Sequence, residues 1–318
     1  MARHTQANST EASTTEASSD AAVAPGGSAP VILITGCSSG IGRHCAFALQ
    51  KRGWRVFASA RQPADVEALR TAGLADALVL DVNDDASIQR AVDTLLGRTH
   101  GRIDAVFNNA GFGQPGALED LPREALRAQF ETNVLGAHAV TRAVLPAMRA
   151  QGWGRIVQHS SVLGFIALPW RGAYNASKYA LEGMTDTLRQ ELRGSGIDAV
   201  LIQTGPVTSR FRANGWAEFK RWVGVGTGDA EQAADWRARI AGSVHRDAYQ
   251  AVIERLEGDG EPPFTLGPEA VARKLLLAVE STPPKPRYHV TVPTHLFKGL
   301  KRLLPSRALD TVIRWINR

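Results

Sequence analysis

Short runs of β-branched and apolar residues recur along the chain, each pair separated by enough residues for one helix. The runs are Val31 to Thr35, Arg55 to Ser59, Ala77 to Leu80, Ile103 to Phe107, Arg155 to His159 and Ile197 to Ile202. Between the third and fourth, the stretch from Asp84 to Leu96 has no Gly or Pro and sets Ile88, Val92, Leu95 and Leu96 on one helical face. Strand, helix, strand repeated in this way predicts an α/β fold, a doubly wound parallel sheet with helices on both faces.

The rhythm breaks at residues 212–263, where Trp216, Phe219, Trp222 and Trp236 stand among Gly, Ala and charged residues. This stretch reads as an inserted helical lid in a single domain spanning 30–295. Regularity returns with a helix over Pro268 to Glu280, Pro opening its first turn, and a last strand over Tyr288 to Val292. Residues 1–29 are rich in Ser, Thr and Ala and read as a disordered leader. Residues 296–318 form a basic amphipathic segment that Pro305 divides in two.

Composition narrows the function. Apolar residues make up 44% and charged residues 21% of the 318, ordinary globular usage that can bury a full core. Net charge is +6, but residues 285–318 alone hold eight Lys or Arg against Asp310, so the basic balance belongs to that tail. No nucleic-acid-binding face is expected. Cys37 and Cys45 are not a CxxC pair and no HExxH pair occurs, so no metal is expected. Few thiols, with no apolar stretch of signal-peptide kind near the start, suit a cytoplasmic location.

The first run enters Gly36-Cys37-Ser38-Ser39-Gly40-Ile41-Gly42, and a helix-like stretch follows. Strand, glycine turn and helix make a Rossmann-type phosphate cradle: glycines let the backbone approach a pyrophosphate, and the helix start favours the anion. Gly36 to Gly40 also fits the G-x-S-x-G elbow of serine hydrolases, with Ser38 as nucleophile, but that elbow follows later strands and here only one precedes it. Arg61, just after the second run, offers a fork for a 2′-phosphate and favours NADP, with NAD possible. Asp81, followed by Val82, is placed for the adenine amino group, or to cap the next helix.

Tyr174 and Lys178 stand four apart near the start of a helical stretch, on one face. A phenol with a pKa near ~10 needs a neighbouring cation to exchange protons near neutrality, and Lys178 is placed to supply it. Ser161, thirteen residues before Tyr174, can donate to a substrate oxygen, with Ser160 as rival.

Together with Asn108-Asn-Ala-Gly111 after the fourth run and a helical Asn133, these motifs over about residues 30–211 strongly resemble the short-chain dehydrogenase/reductase family. The resemblance implies an oxidoreductase moving a hydride between NADP(H) and an alcohol or ketone, with Tyr174 as proton donor or acceptor. Lys178 would hold the nicotinamide ribose, Ser161 polarise the carbonyl and Asn133 hold a relay water. Asn108, Ala110 and Gly111 would shape the adenosine side, and Pro206, Val207 and Ser209 would contact the carboxamide. Thr204 departs from the family pattern, standing where proline is usual. The overall texture is also similar to the retinol and hydroxysteroid dehydrogenase branch. A non-catalytic cofactor sensor or scaffold is the rival class, although the catalytic set is intact.

The lid aromatics, with Leu163, Phe165, Leu168, Pro169 and Trp170, allow two readings: an apolar pocket for a lipophilic substrate, or packing of the lobe against its own domain. The 296–318 segment can lie on an anionic membrane surface or pack on its own domain. The resemblance also implies a homo-oligomer built through the helices carrying Asn133 and Tyr174.

Overall fold

The computed structural model describes residues 28–225, 235–258 and 260–316. Apart from Ser28 and Ala29, the expected leader lies outside them. The first half runs β1 (Val31–Ile34), α1 (Gly40–Lys51), β2 (Arg55–Ala60), α2 (Pro63–Thr71), β3 (Leu78–Val79), α3 (Asp85–Arg98) and β4 (Ala105–Asn108). Next come α4 (Arg123–Phe130), a π-helical turn (Glu131–Gly136), α5 (Ala137–Gln151), β5 (Gly154–Ser161), α6 (Gly172–Glu191) and β6 (Ile197–Thr204). The chain continues through α7 (Phe211–Trp222), α8 (Trp236–Ala241), α9 (Arg246–Glu257), α10 (Glu269–Glu280), β7 (Arg287–His289), α11 (Val292–Leu303) and α12 (Ser306–Ile316).

The strands form one parallel sheet in the order β3-β2-β1-β4-β5-β6-β7. Alternation along β1 explains the two apolar layers. Ile32 and Ile34 face a core with Cys45 and Leu49 of α1 and Val271 and Leu275 of α10. Val31 and Leu33 face the opposite core, with Val92 and Leu95 of α3 and Val140 and Val144 of α5. A strand buried on both sides has no polar face to show, which is why it reads as a continuous apolar run.

Several expected boundaries move, among them those of β4, β7 and the C-terminal segment. β4 starts at Ala105, two residues later than expected, because Asp104 ends the preceding loop by accepting from the Val31 amide at 2.7 Å. β7 ends at His289, since Pro293 in the first turn of α11 sets the backbone for a helix instead of a strand. The C-terminal helical segment therefore begins at Val292 and not Leu296, and Pro305 does separate α11 from α12.

The described part of 212–263, which the sequence reads as a lid, holds α7, α8 and α9. Trp216, Phe219 and Trp236 make a core of their own with Tyr249, whereas Trp222 packs against Leu121, Leu126 and Ala173. Phe219 stacks on Trp216 at 5.5 Å and meets Tyr249 of α9 edge-on at 5.5 Å, and Trp236 closes on both Trp216 and Phe219. The Tyr249 hydroxyl donates to Asp120 at 2.5 Å and accepts from the Ala117 amide at 3.1 Å, tying the lid to the loop after β4. Of the two readings open for these rings, packing holds for Trp216, Phe219 and Trp236, whose area is buried against other aromatic area. Trp170 joins the same cluster, edge-on to His245 at 5.1 Å, and Pro169 is exposed.

Candidate active site

The turn after β1 is bare backbone. Gly36 has φ of +72°, and a Cβ there would lie 2.8 Å from the Ala110 Cα. Gly42 is pressed against the Gly36 carbonyl, where a side chain would collide. Ser39 caps α1 without any side-chain hydrogen bond, and no acidic residue stands in the first turn, so the helix start keeps its free N–H groups and positive end. Ile41 packs inward against the core while Ser38 is exposed. Such a cradle fits a dinucleotide phosphate. It does not fit a hydrolase elbow, because the buried ring of His159 bonds Asn109 and Thr204 and offers Ser38 nothing.

Thr35 and Asn109 hold that turn. The Thr35 hydroxyl accepts from the Asn109 and Ala110 amides, both at 3.0 Å. The Asn109 carboxamide donates to the Thr35 and Gly36 carbonyls at 2.9 and 3.1 Å. Asn108, one residue earlier, points to the other face of the sheet and donates to Thr141 of α5 at 2.9 Å. Asn108 thus braces sheet against helix, and the residue that shapes the turn is its neighbour. Gly111 leaves no room for a side chain beside Asn133, whose carboxamide oxygen would be 2.9 Å away. Arg61 is exposed at the end of β2, Asp81 accepts from the Asn83 amide at 3.0 Å, and Val82 packs against Gly136.

At the far end of the cleft, β5 ends in Ser160 and Ser161, which strand alternation sends to opposite faces. Ser160 turns toward Glu182, and Ser161 turns toward Tyr174. The Ser161 oxygen accepts from the Leu163 amide at 3.1 Å, which leaves its hydrogen free to donate. Tyr174 is buried in the first turn of α6, with Phe211 at the head of the lid edge-on to it at 5.2 Å. Burial pushes the phenol up to about 12, opposed by the Ser161 hydroxyl and the charge of Arg171.

Lys178 lies one turn on, 5.7 Å from the Tyr174 ring, and donates to the His159 carbonyl at 2.6 Å. Burial draws it down to about 8, while Glu182 pulls the other way. Arg171, three residues before Tyr174, adds a second cation whose charge opposes the rise of the phenol.

Asn133 sits inside the π-helical turn, an irregularity that helices show mostly near functional sites. Its carboxamide grips the Phe112 backbone at both ends, accepting at 3.1 Å and donating at 2.9 Å, and donates again to Ser177 at 3.2 Å. Both donors and the acceptor are engaged, so the side chain braces α6 against the loop after β4. Beyond β6, Pro206 and Val207 pair with Leu266, and the Ser209 hydroxyl accepts from the Phe211 amide at 3.4 Å while its Cβ lies 3.3 Å from where a Gly40 side chain would start. Thr204 bonds the Ser160 carbonyl at 3.2 Å and the His159 ring at 3.3 Å, two contacts a proline could not make.

The apolar wall around Tyr174 comes from Leu163, Phe165, Leu168 and Phe211, joined by Phe297 and Leu300 of α11 and Leu309 and Ile313 of α12. Sequence reasoning missed Asn109, His159, Arg171 and Glu182. Asn109 lay inside a motif already noted, whereas nothing local marks the other three.

The short chain dehydrogenase family model matches residues 30–218. Over 283 residues the chain is 41% identical to "Uncharacterized oxidoreductase YbbO" of Escherichia coli (strain K12), covering 89% of this chain and 93% of that one. It is 35% identical over 247 residues to the 3-ketodihydrosphingosine reductase of Bacteroides thetaiotaomicron, covering 77% and 84%. A crystal structure of a short chain dehydrogenase/reductase from Burkholderia phymatum in complex with NAD is similar with a TM-score of 0.69 at 25% identity, covering 90% and 95%. With an open phosphate cradle at one end of its cleft and a serine, tyrosine and lysine at the other, the chain belongs to the short-chain dehydrogenase/reductase family of oxidoreductases.

Proposed function

We propose that this oxidoreductase passes a hydride between NADP(H) and a lipophilic alcohol or ketone, with Tyr174 as the acid or base. The observation that carries this reading is the convergence of Ser161 and Lys178 on the buried Tyr174 at the foot of an apolar wall. Bound, the nicotinamide supplies the hydride for reduction or receives it in oxidation.

The rest falls to the chain's own side chains. Gly36, Ser38, Ser39, Gly40, Ile41 and Gly42 with the start of α1 hold the phosphates. Arg61 holds the 2′-phosphate, a geometry its planar fork suits, and is what favours NADP over the NAD held by the Burkholderia relative. Asp81 and Val82 with Ala110 and Gly111 form the adenosine side, and Asn108 braces the sheet beneath it. Pro206, Val207 and Ser209 receive the carboxamide, and Lys178 takes the ribose hydroxyls.

In reduction, the Ser161 hydroxyl donates to the ketone oxygen and Tyr174 delivers its proton as negative charge builds there. The phenolate left behind is stabilised by Arg171 and Lys178. Asn133 is a positioning residue that keeps the α6 helix in register with the loop that walls the cleft. Leu163, Phe165, Phe211 and Phe297 favour a long apolar substrate, in keeping with a relative named for a long-chain keto lipid. We place the protein in the cytoplasm, as a homo-oligomer joined through the helices that carry Asn133 and Tyr174.

A paired assay tests the reading. Fluorescence titration with NADPH and ketone-dependent NADPH oxidation are compared in the parent and in Tyr174→Phe. Binding within about twofold of the parent, with turnover lower by about a thousandfold, is expected. Full activity in the variant would remove the mechanism, and a parent that binds NADPH yet reduces no ketone or aldehyde would favour a sensor.

A further inference from the structure

The last two helices have a covered face and a bare one. Phe297 and Leu300 of α11, with Leu309 and Ile313 of α12, pack on the cluster that contains Tyr174. On the opposite side of α11, Val292, Leu296, Gly299 and Leu303 recur at four-, three- and four-residue steps and so lie in one line. Val292 is 59% exposed, Leu296 54% and Leu303 80%. On α12, Trp315 is 75% exposed, away from the line of Leu309 and Ile313. Both helices pack inward on the same cluster, so their outer faces turn away from it together.

Large apolar side chains bared in a stripe are unusual for a surface that meets only water. Their neighbours identify the occupant. Lys298, Arg302, Arg307 and Arg314 are exposed on the same two helices, with Asp310 their one acid, while Lys301 turns inward to the Phe165 carbonyl and the Tyr179 ring. Lys298, Lys301 and Arg302 also line a cleft of about 460 Å³ between α11 and α6, on the covered side of α11, where Arg287 is paired with Glu182. A second copy of the same face would bring like charges together, whereas a surface of anionic headgroups over an apolar interior complements both features. No described helix is long and apolar enough to cross a bilayer, so the helices lie along it.

We infer that α11 and α12 dock the protein on an anionic phospholipid bilayer. Because their inner faces wall the cleft at Tyr174, docking also brings the substrate entrance to the lipid. That second part rests on the proposed ketone reductase activity, while docking itself does not.

Cosedimentation of the full chain with vesicles, without cofactor or ketone, reads docking alone. Binding to mixed phosphatidylcholine and phosphatidylglycerol vesicles is expected, with little on phosphatidylcholine alone and a decline as salt rises. The triple variant Leu296→Glu, Leu303→Glu, Trp315→Glu changes only exposed positions, and is expected to keep the parent circular dichroism and partition about a hundredfold less. Trp315→Ser serves as a gentler variant, with a loss of about tenfold. Absence of binding to the anionic vesicles, or undiminished binding by these variants, would overturn the inference. So would a parent that elutes as a larger species than the triple variant in size exclusion, since a second copy would then cover the face.

Activity is measured separately, with a long-chain ketone dissolved in the vesicles and with a short water-soluble ketone. The triple variant should lose rate on the first and keep it on the second. If the parent reduces neither ketone, the functional proposal fails while the cosedimentation result stands.

Discussion

The carboxamide oxygen of Asn109 lies 2.9 Å from Nδ1 of His159, joining the residue that shapes the glycine turn to the strand that ends in Ser161. His159 completes the link on its other side, where Nε2 meets the Thr204 hydroxyl at 3.3 Å and the backbone carbonyl receives Lys178. Both halves of the cleft are therefore registered through one buried neutral imidazole.

Burial and the charge of Lys178 hold His159 down at about 3, against an ordinary value of 6.5. Between those two values the unfolded chain takes up a proton that the folded chain refuses, so stability is lost as pH falls through that window. Urea midpoints measured across it should fall less steeply in His159→Gln than in the parent. His289, also held low at about 4, leaves a residual slope. Parallel profiles for the two proteins would contradict the assignment.

Glu182 stands one helical turn beyond Lys178, accepts from Gln203 at 2.8 Å and pairs with Arg287 at 3.3 Å. Its charge opposes the burial that draws Lys178 down to about 8. Replacing it by Gln removes that support and lowers the lysine further. For the proposed ketone reduction an alkaline limb near 8, from loss of the Lys178 ammonium, is expected in the parent, and it should move to lower pH in Glu182→Gln. Tyr174, pushed to about 12, is too high to produce this limb. Superimposable pH–rate profiles would show that Glu182 has no part in it.

Arg61→Ala should weaken NADPH binding by about tenfold to a hundredfold, the range for losing a charged hydrogen-bonding partner, and leave NADH almost unchanged. Titration with both nucleotides reads the difference. Equal loss for the two would assign the 2′-phosphate to some other residue.

Phe219 is fully buried at the centre of the lid's aromatic core. Truncation to Ala should cost about 3–5 kcal/mol, concentrated in the lid. Amide exchange should then rise across α7 and α9 while β1, β4 and β5 stay protected. Uniform deprotection would mean that lid and sheet unfold as one unit.

The sheet was legible because its inner strands are covered on both faces and so appear as unbroken apolar runs. Strand limits at the edges were not: β3 and β7 are two and three residues long, too short for a pattern, and Pro293 ends the extended backbone soon after β7. In the site, Tyr174 and Lys178 could be placed by helical spacing alone. Arg171 and Phe211 could not, since their bearing on Tyr174 comes from folding the loop before α6 and the lid across one phenol. The lid aromatics stayed open to two readings for a related reason. Sequence reports apolar area, but which surfaces cover it depends on how α7, α8 and α9 meet.

Ser209 rests against Gly40, and Phe211, two residues later, rests against Tyr174. Three consecutive residues thus reach from the glycine turn to the phenol. Substitutions at Phe211, Phe297 or Ile313 can change which molecule is admitted, but an insertion or deletion within 209–211 would displace both contacts at once. Among descendants of this chain that keep the activity, that short stretch should hold its length while the outer lid helices, bound together by their own rings, diverge as a unit.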